Sequence, residues 1–181
     1  MEWEQIEAKV VEGQRLASGT SQRDPSFNEE IVKDGVKGKG TLFLQAGEFK
    51  KHGLDLDAYF GEAGYVNGTL NLLIEPQTWT LGKRDDFEYF LSGVHWTDKL
   101  DKPGEQPFVE NFFLSPCQII FGGNKYKAMI YIPDPATKPK HHAPLAPYID
   151  VIAPRIPGIG YGSLVTLFYN SKAIHVKAND L

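Results

Sequence analysis

Residues 110–132 read ENFFLSPCQIIFGGNKYKAMIYI. Two apolar runs, Glu110 to Phe121 and Tyr126 to Ile132, are joined through Gly122, Gly123 and Asn124, residues that accept positive φ. That pattern predicts a β-hairpin. Cys117 lies between Phe112-Phe113-Leu114 and Ile119-Ile120-Phe121, so it reads as a thiol inside a buried strand. It is the chain's one cysteine and has no intrachain disulfide partner. Apolar burial suppresses the thiolate, and an inert core residue is expected.

Outward from the hairpin, strands are expected at Ile6 to Ala17, where one or two are interrupted near Gly13, and at Thr41 to Leu44 and Thr69 to Ile74. Phe87 to Trp96, Tyr148 to Ile152, Leu164 to Tyr169 and Ala173 to Val176 complete the set. The 18 glycines and 12 prolines leave runs too short for long helices. Glu48 to Tyr59 has the best helical pattern, with Phe49, Leu54, Leu56 and Tyr59 apolar, although Gly53 weakens it by about 1 kcal/mol. Seven or more short strands with turns between them predict a mainly β fold, a barrel or sandwich carrying one or two short helices. Thr20 to Asn28 reads as a polar loop. Pro133 to Pro147, with five prolines and the adjacent His141 and His142, reads as an extended surface loop.

A length of 181 residues fits one domain with an adequate core, and 41 % hydrophobic with 23 % charged residues is ordinary globular usage. A formal charge of −4 argues against a nucleic-acid binder, which needs excess Lys and Arg to neutralise phosphates. Met1 to Lys9 lacks the basic start and apolar run of a signal peptide, and no stretch approaches the roughly 18 apolar residues of a membrane span. A cytoplasmic protein that does not engage membranes is the expectation. Oligomeric state is left open.

Two segments have residue types suited to holding a small ligand. Lys37-Gly38-Lys39-Gly40-Thr41 combines exposed backbone N–H groups with two cations, which suits phosphate, or it is a plain turn. It lacks the GxxxxGK[ST] spacing, and no helix is read after it. In Gly68-Thr69-Leu70-Asn71, strand alternation sets Thr69 and Asn71 on one face. Two hard oxygen donors there suit Mg²⁺ that keeps most of its waters, or they merely close the turn. His141 and His142 point oppositely on an extended chain and make a poor metal pair.

Asn67-Gly68-Thr69-Leu70-Asn71-Leu72, then Pro116-Cys117-Gln118-Ile119-Ile120, Ala128-Met129-Ile130 with Pro133, and Ile149-Asp150-Val151-Ile152-Ala153-Pro154 follow one another in an order and approximate spacing that resembles the CTP-dependent riboflavin kinases of archaea. The resemblance spans roughly Val11 to Tyr169. It implies a small closed β-barrel of the cradle-loop type and phosphoryl transfer from a nucleoside triphosphate, CTP in that family, to riboflavin or a similar small alcohol. Residue by residue, it implies that Thr69 and Asn71 hold Mg²⁺. Lys37, Gly38, Lys39, Gly40 and Thr41 would grip the nucleotide, helped by Arg155. Thr137 and Asp150 would contact the acceptor, with Asp150 as the candidate general base.

The chain also departs from that pattern. After Ala153-Pro154 it reads Arg155-Ile156-Pro157-Gly158-Ile159-Gly160, where the family has a nucleotide-contacting segment with a leucine-arginine pair. This departure motivates an alternative of another class, a non-catalytic barrel that binds a flavin or nucleotide. A third reading, an assembly domain using an exposed strand edge, rests on the abundance of short strands.

Overall fold

The computed structural model describes residues 2–11, 31–32, 41–66, 68–95, 109–136 and 147–178. Its centre is the hairpin. Strand β7 (Val109–Phe121) pairs with β8 (Asn124–Pro133) in unbroken register from Phe112↔Pro133 to Phe121↔Asn124. Gly122 and Gly123 turn between them at φ 57° and 79°, the two successive positive values that a two-residue turn of this hand requires.

Four more strands join this pair in an antiparallel circuit. β1 (Trp3–Val11), β4 (Leu70–Leu73), β9 (Tyr148–Ile152) and β10 (Leu164–Asn170) extend it in the order β10-β1-β4-β9-β8-β7, and β10 pairs back onto β7. Hydrogen bonds therefore run in a closed ring through six strands, and the expected mainly β, closed architecture is what the chain forms. β6 (Tyr89–His95) adds a seventh strand beside the first half of β7.

A proline inside so central a strand needs an explanation, since it cannot donate to a ladder. On its second edge β7 pairs with β6 up to Leu114 and with β10 from Gln118, so Pro116 falls where the strand changes partners. A missing N–H is tolerated at that gap.

Alternation sorts the side chains. In β1, Ile6, Ala8 and Val10 are buried while Glu7 and Lys9 face out. These apolar residues meet Leu70 and Leu72 of β4, Ile149 and Val151 of β9, Ala128 and Ile130 of β8, and Val165 and Leu167 of β10 inside the closed sheet. Each fully buried aliphatic side chain contributes about 1.5–3 kcal/mol. The interior is a packed core. One end is covered by the segment after β9, where Ile156 and Ile159 join that core. This segment is tied to β1 by Gly162 N–H donating to the Val10 carbonyl at 2.7 Å and by Val10 N–H donating to the Ser163 carbonyl at 2.9 Å.

Two helices cover part of the outer face, and they correct the sequence expectation. Thr41 to Leu44 is the first turn of α1 (Thr41–Lys51), not a strand, and the helix expected over Glu48 to Tyr59 is split. Leu42, Gln45 and Phe49 are buried at helical spacing. A polar residue in the buried stripe hid that period. The split falls at Gly53, whose φ of 101° sets a left-handed cap. Leu54 N–H donates to the Phe49 carbonyl at 2.9 Å and Gly53 N–H to the Lys50 carbonyl at 3.2 Å, the paired bonds that close a helix of this type. α2 (Leu56–Phe60) then starts on Asp55, whose carboxylate accepts from Ala58 N–H at 3.1 Å. Together the helices bring Phe49, Leu54, Leu56 and Phe60 against Phe112, Leu114, Met129 and Ile152, forming a second core outside the closed sheet.

Three strands were not expected from the sequence. β5 (Thr78–Leu81) pairs with β11 (Ile174–Lys177), and β2 (Ile31–Val32) pairs with β3 (Tyr65–Val66). The polar loop expected at Thr20 to Asn28, the second half of the first strand segment, and most of Pro133 to Pro147 with His141 and His142 lie outside the described residues. Among the described residues no helix is long and apolar enough to cross a membrane.

Two glycines separate packing from propensity. A Cβ on Gly82 would overlap the backbone carbonyls of Lys172 and Ala173, whereas one on Gly47, inside α1, meets nothing within 4 Å. Gly82→Ala is therefore expected to destabilise by upwards of about 2 kcal/mol, and Gly47→Ala to stabilise by about 0.5–1 kcal/mol. Urea unfolding of the two variants checks the opposite signs.

Candidate functional site

The candidate site is built on β4 and β9. Their register is Leu70↔Val151, Asn71↔Asp150, Leu72↔Ile149 and Leu73↔Tyr148. Leu70, Leu72, Ile149 and Val151 point into the closed core, so Asn71 and Asp150 share the outer face as direct cross-strand neighbours. Residues opposed in this way have Cβ atoms about 4.5–5.5 Å apart. Segments 79 positions apart in sequence are thus brought side by side, and they are the two from which the metal-holding amide and the acceptor-facing carboxylate were expected.

The surroundings of the pair are specific. Asn71 is buried at 7 % exposure despite facing outward, and Asp150 is half-buried. Asn71 Nδ2 donates to the Thr69 carbonyl at 3.4 Å, which leaves the amide oxygen as the atom that would face a cation. Thr69 itself stands one residue before β4 and is partly buried. Ahead of it, Gly68 N–H donates to the Val66 carbonyl at 2.9 Å with φ at 153°, closing a tight turn into the strand. Amide, hydroxyl and carboxylate oxygens are the hard donors that Mg²⁺ takes when phosphate completes its shell. Among the described residues, no group of three or more His, Cys, Asp or Glu side chains is placed to hold a metal.

Arg155 is exposed just beyond the end of β9. The same turn carries the Ala153 carbonyl, which accepts from Val66 N–H at 2.9 Å, so the chain at Arg155 is tied to the segment leading into Thr69. Lys37, Gly38, Lys39, Gly40 and Thr137 lie outside the described residues. Thr41 is the first residue of α1, so the glycine-rich segment leads directly into a helix, contrary to the sequence reading. Cys117 is 1 % exposed within the closed core, and burial pushes its thiol well above the ordinary value.

Further polar residues near the pair were not anticipated. Tyr131 of β8 donates its hydroxyl to Gln45 Oε1 of α1 at 2.8 Å, with Gln45 at 0 % and Tyr131 at 5 % exposure. Burial, then the charge of Glu110, and to a smaller extent that of Asp150, push the Tyr131 phenol well above its usual value, while the bond to Gln45 opposes them. The phenol therefore stays a neutral donor at physiological pH. Met129↔Ile152, carried two residues along the antiparallel register, sets Tyr131 beside Asp150. One outer-face row thus runs Asn71, Asp150, Tyr131 and up to Gln45 of α1. The sequence signal was present but weak: Glu110 heads an otherwise apolar strand, and Gln45 interrupts an apolar helix face.

No protein-family model matches the chain, and no curated protein matches it either. The placement of Cys117 has a direct consequence. Its thiol is expected to resist a disulfide reagent at neutral pH in the folded protein and to react fully in denaturant, which a timed thiol titration measures. Rapid reaction of the native protein would mean that the closed sheet opens readily.

Proposed function

We propose that the chain is an Mg²⁺-dependent phosphotransferase that moves a phosphoryl group from a nucleoside triphosphate, CTP by resemblance, to riboflavin or a similar small alcohol. The observation that supports this reading best is the register that sets Asn71 opposite Asp150 on the outer face of the sheet. A phosphotransfer site needs a hard-oxygen metal ligand beside a carboxylate that can take an alcohol proton, and little covalent chemistry besides.

In this reading Asn71 and Thr69 would hold an Mg²⁺ ion, which would supply charge stabilisation to the transferring phosphate. Lys37, Gly38, Lys39, Gly40 and Thr41 grip the nucleotide phosphates ahead of α1. Arg155 adds positive charge from the turn after β9. Asp150, with Thr137, orients the acceptor and takes its hydroxyl proton as the oxygen attacks the γ-phosphorus. The bond to the bridging oxygen breaks and a nucleoside diphosphate leaves. Neutral ligands at Asn71 and Thr69 would leave the ion's charge to be met by the phosphate oxygens.

The alternative is a passive binding barrel. It is favoured by the Asn71 amide already spending its N–H on the turn at Thr69, a purely structural use.

Calorimetric titration with riboflavin and FMN, each with and without Mg²⁺ and with CTP, ATP or GTP, followed by product assay, separates the two. Conversion of riboflavin to FMN is expected with one triphosphate, whereas flavin binding without conversion would support the passive barrel. Asn71→Ala is expected to abolish Mg²⁺-dependent turnover with the fold intact, and Asp150→Asn to lower kcat by about 10²–10⁴-fold. Undiminished turnover in either variant removes that residue from the mechanism.

A further inference from the structure

On the side of β4 away from β9, β1 runs antiparallel with Val11 opposite Asn71 and Lys9 opposite Leu73. Ile6, Ala8 and Val10 turn into the closed core, so Lys9 stands on the outer face, which also carries Asn71 and Asp150. It is exposed, and the register makes it a diagonal neighbour of Asn71, with Cβ atoms about 7–8 Å apart. Across three adjacent strands the outer face thus presents the Lys9 cation on β1, the Asn71 amide on β4 and the Asp150 carboxylate on β9.

The neighbours of Lys9 give its charge nothing to pair with. Across the strands it opposes Leu73 on one side and Leu164 on the other. The next outward residue along β1 is Glu7, whose Oε1 accepts from Thr166 Oγ1 at 3.0 Å. Among the described residues, no hydrogen bond or ion pair engages the Lys9 ammonium. The two leucines flank its aliphatic stem, and the four-carbon chain can carry the charge toward Asn71.

We propose that Lys9 contacts the leaving diphosphate of the donor, holding its β-phosphate on the side of Asn71 opposite to Asp150. This proposal rests on the proposed function and deepens it by assigning the leaving-group side of the site. Phosphoryl transfer places the attacking and leaving oxygens roughly in line on opposite sides of phosphorus. With the acceptor hydroxyl on Asp150 of β9 and the phosphoryl group over Asn71 of β4, the leaving oxygen faces β1. The hydroxyl proton passes to Asp150, the acceptor oxygen bonds to the γ-phosphorus, and the electron pair of the broken P–O bond goes to the bridging oxygen of the nucleoside diphosphate. Negative charge therefore builds on the β1 side, where a fixed cation stabilises it. The same cation offsets the repulsion that Asp150 exerts on phosphate from the other flank.

Lys9→Met keeps an unbranched stem at an exposed position and removes the charge, so the fold is expected to persist. Titration with CDP and with CMP in the presence of Mg²⁺, beside turnover of riboflavin with CTP, separates a leaving-group contact from a general effect. The corresponding adenine or guanine nucleotides replace them if the wild-type protein uses ATP or GTP. The variant is expected to bind CDP about tenfold or more weakly, as loss of one charge-assisted hydrogen bond implies, with CMP affinity unchanged. Its kcat is expected to fall at least about tenfold. Lys9→Arg, which keeps the charge, is expected to recover a large part of the CDP affinity. Equal losses for CDP and CMP, or undiminished CDP affinity and kcat, overturn the proposal while leaving phosphotransfer at Asn71 and Asp150 standing. Wild-type protein that converts no riboflavin with CTP, ATP or GTP overturns both.

Discussion

The pairing of β10 back onto β7 is the constraint on which the rest of the molecule depends. Without it the strands would form an open sheet with two exposed edges, and the apolar faces of β1, β4 and β10 would lack a facing wall. With it, six strands enclose one core, and every register in the circuit is fixed by its neighbours. A shift of one residue between β4 and β9 would turn Leu70 and Leu72 outward and Asn71 inward, a loss of several buried aliphatic side chains. Closure therefore sets the candidate site's geometry as well as the fold's stability. Asn71 faces Asp150 because the leucines on either side of it must face the core.

The same strand that closes the sheet also divides it. β7 is long enough to serve the closed core with Phe113, Cys117 and Ile119, and the outer core with Phe112 and Leu114. Its two faces are both apolar near the middle, so the outer one has to be covered, and α1 and α2 do so. The helices bring Gln45 over the row that runs from Asn71 through Asp150 to Tyr131. Tyr131 and Gln45 form a buried hydrogen bond at this seam between the two cores.

Much of the sheet was legible because its strands carry complete local signals. The Phe121 to Lys125 turn has two glycines at the required positions, β9 is bounded by proline-rich flanks, and β1 alternates over Ile6 to Val10, although it begins earlier, at Trp3. β5 was missed because four residues with one buried tryptophan carry too little alternation to stand out, and β2 and β3 are two-residue pairings that only tertiary placement creates. α1 was misread since Thr41 to Leu44 is apolar and begins with a β-branched residue, while the helical period shows only when Gln45 is counted on the buried face. For the site, Asn71 and Asp150 were named from a resemblance and are brought together by register. Gln45 and Tyr131 were not named, because their meeting depends on a helix packing on a sheet, which no local pattern encodes.

The central claim is that a divalent ion bound with nucleotide sits where β4 and β9 face each other. Mn²⁺ in place of Mg²⁺, added with CTP to ¹⁵N-labelled protein, tests it through paramagnetic broadening of assigned amide signals. The account predicts that the amides of Leu70, Asn71 and Leu72 broaden together with those of Ile149, Asp150 and Val151, while those of β11 on the two-stranded sheet stay sharp. Broadening that leaves β4 and β9 untouched, or none at Mn²⁺ concentrations that saturate CTP, would contradict it.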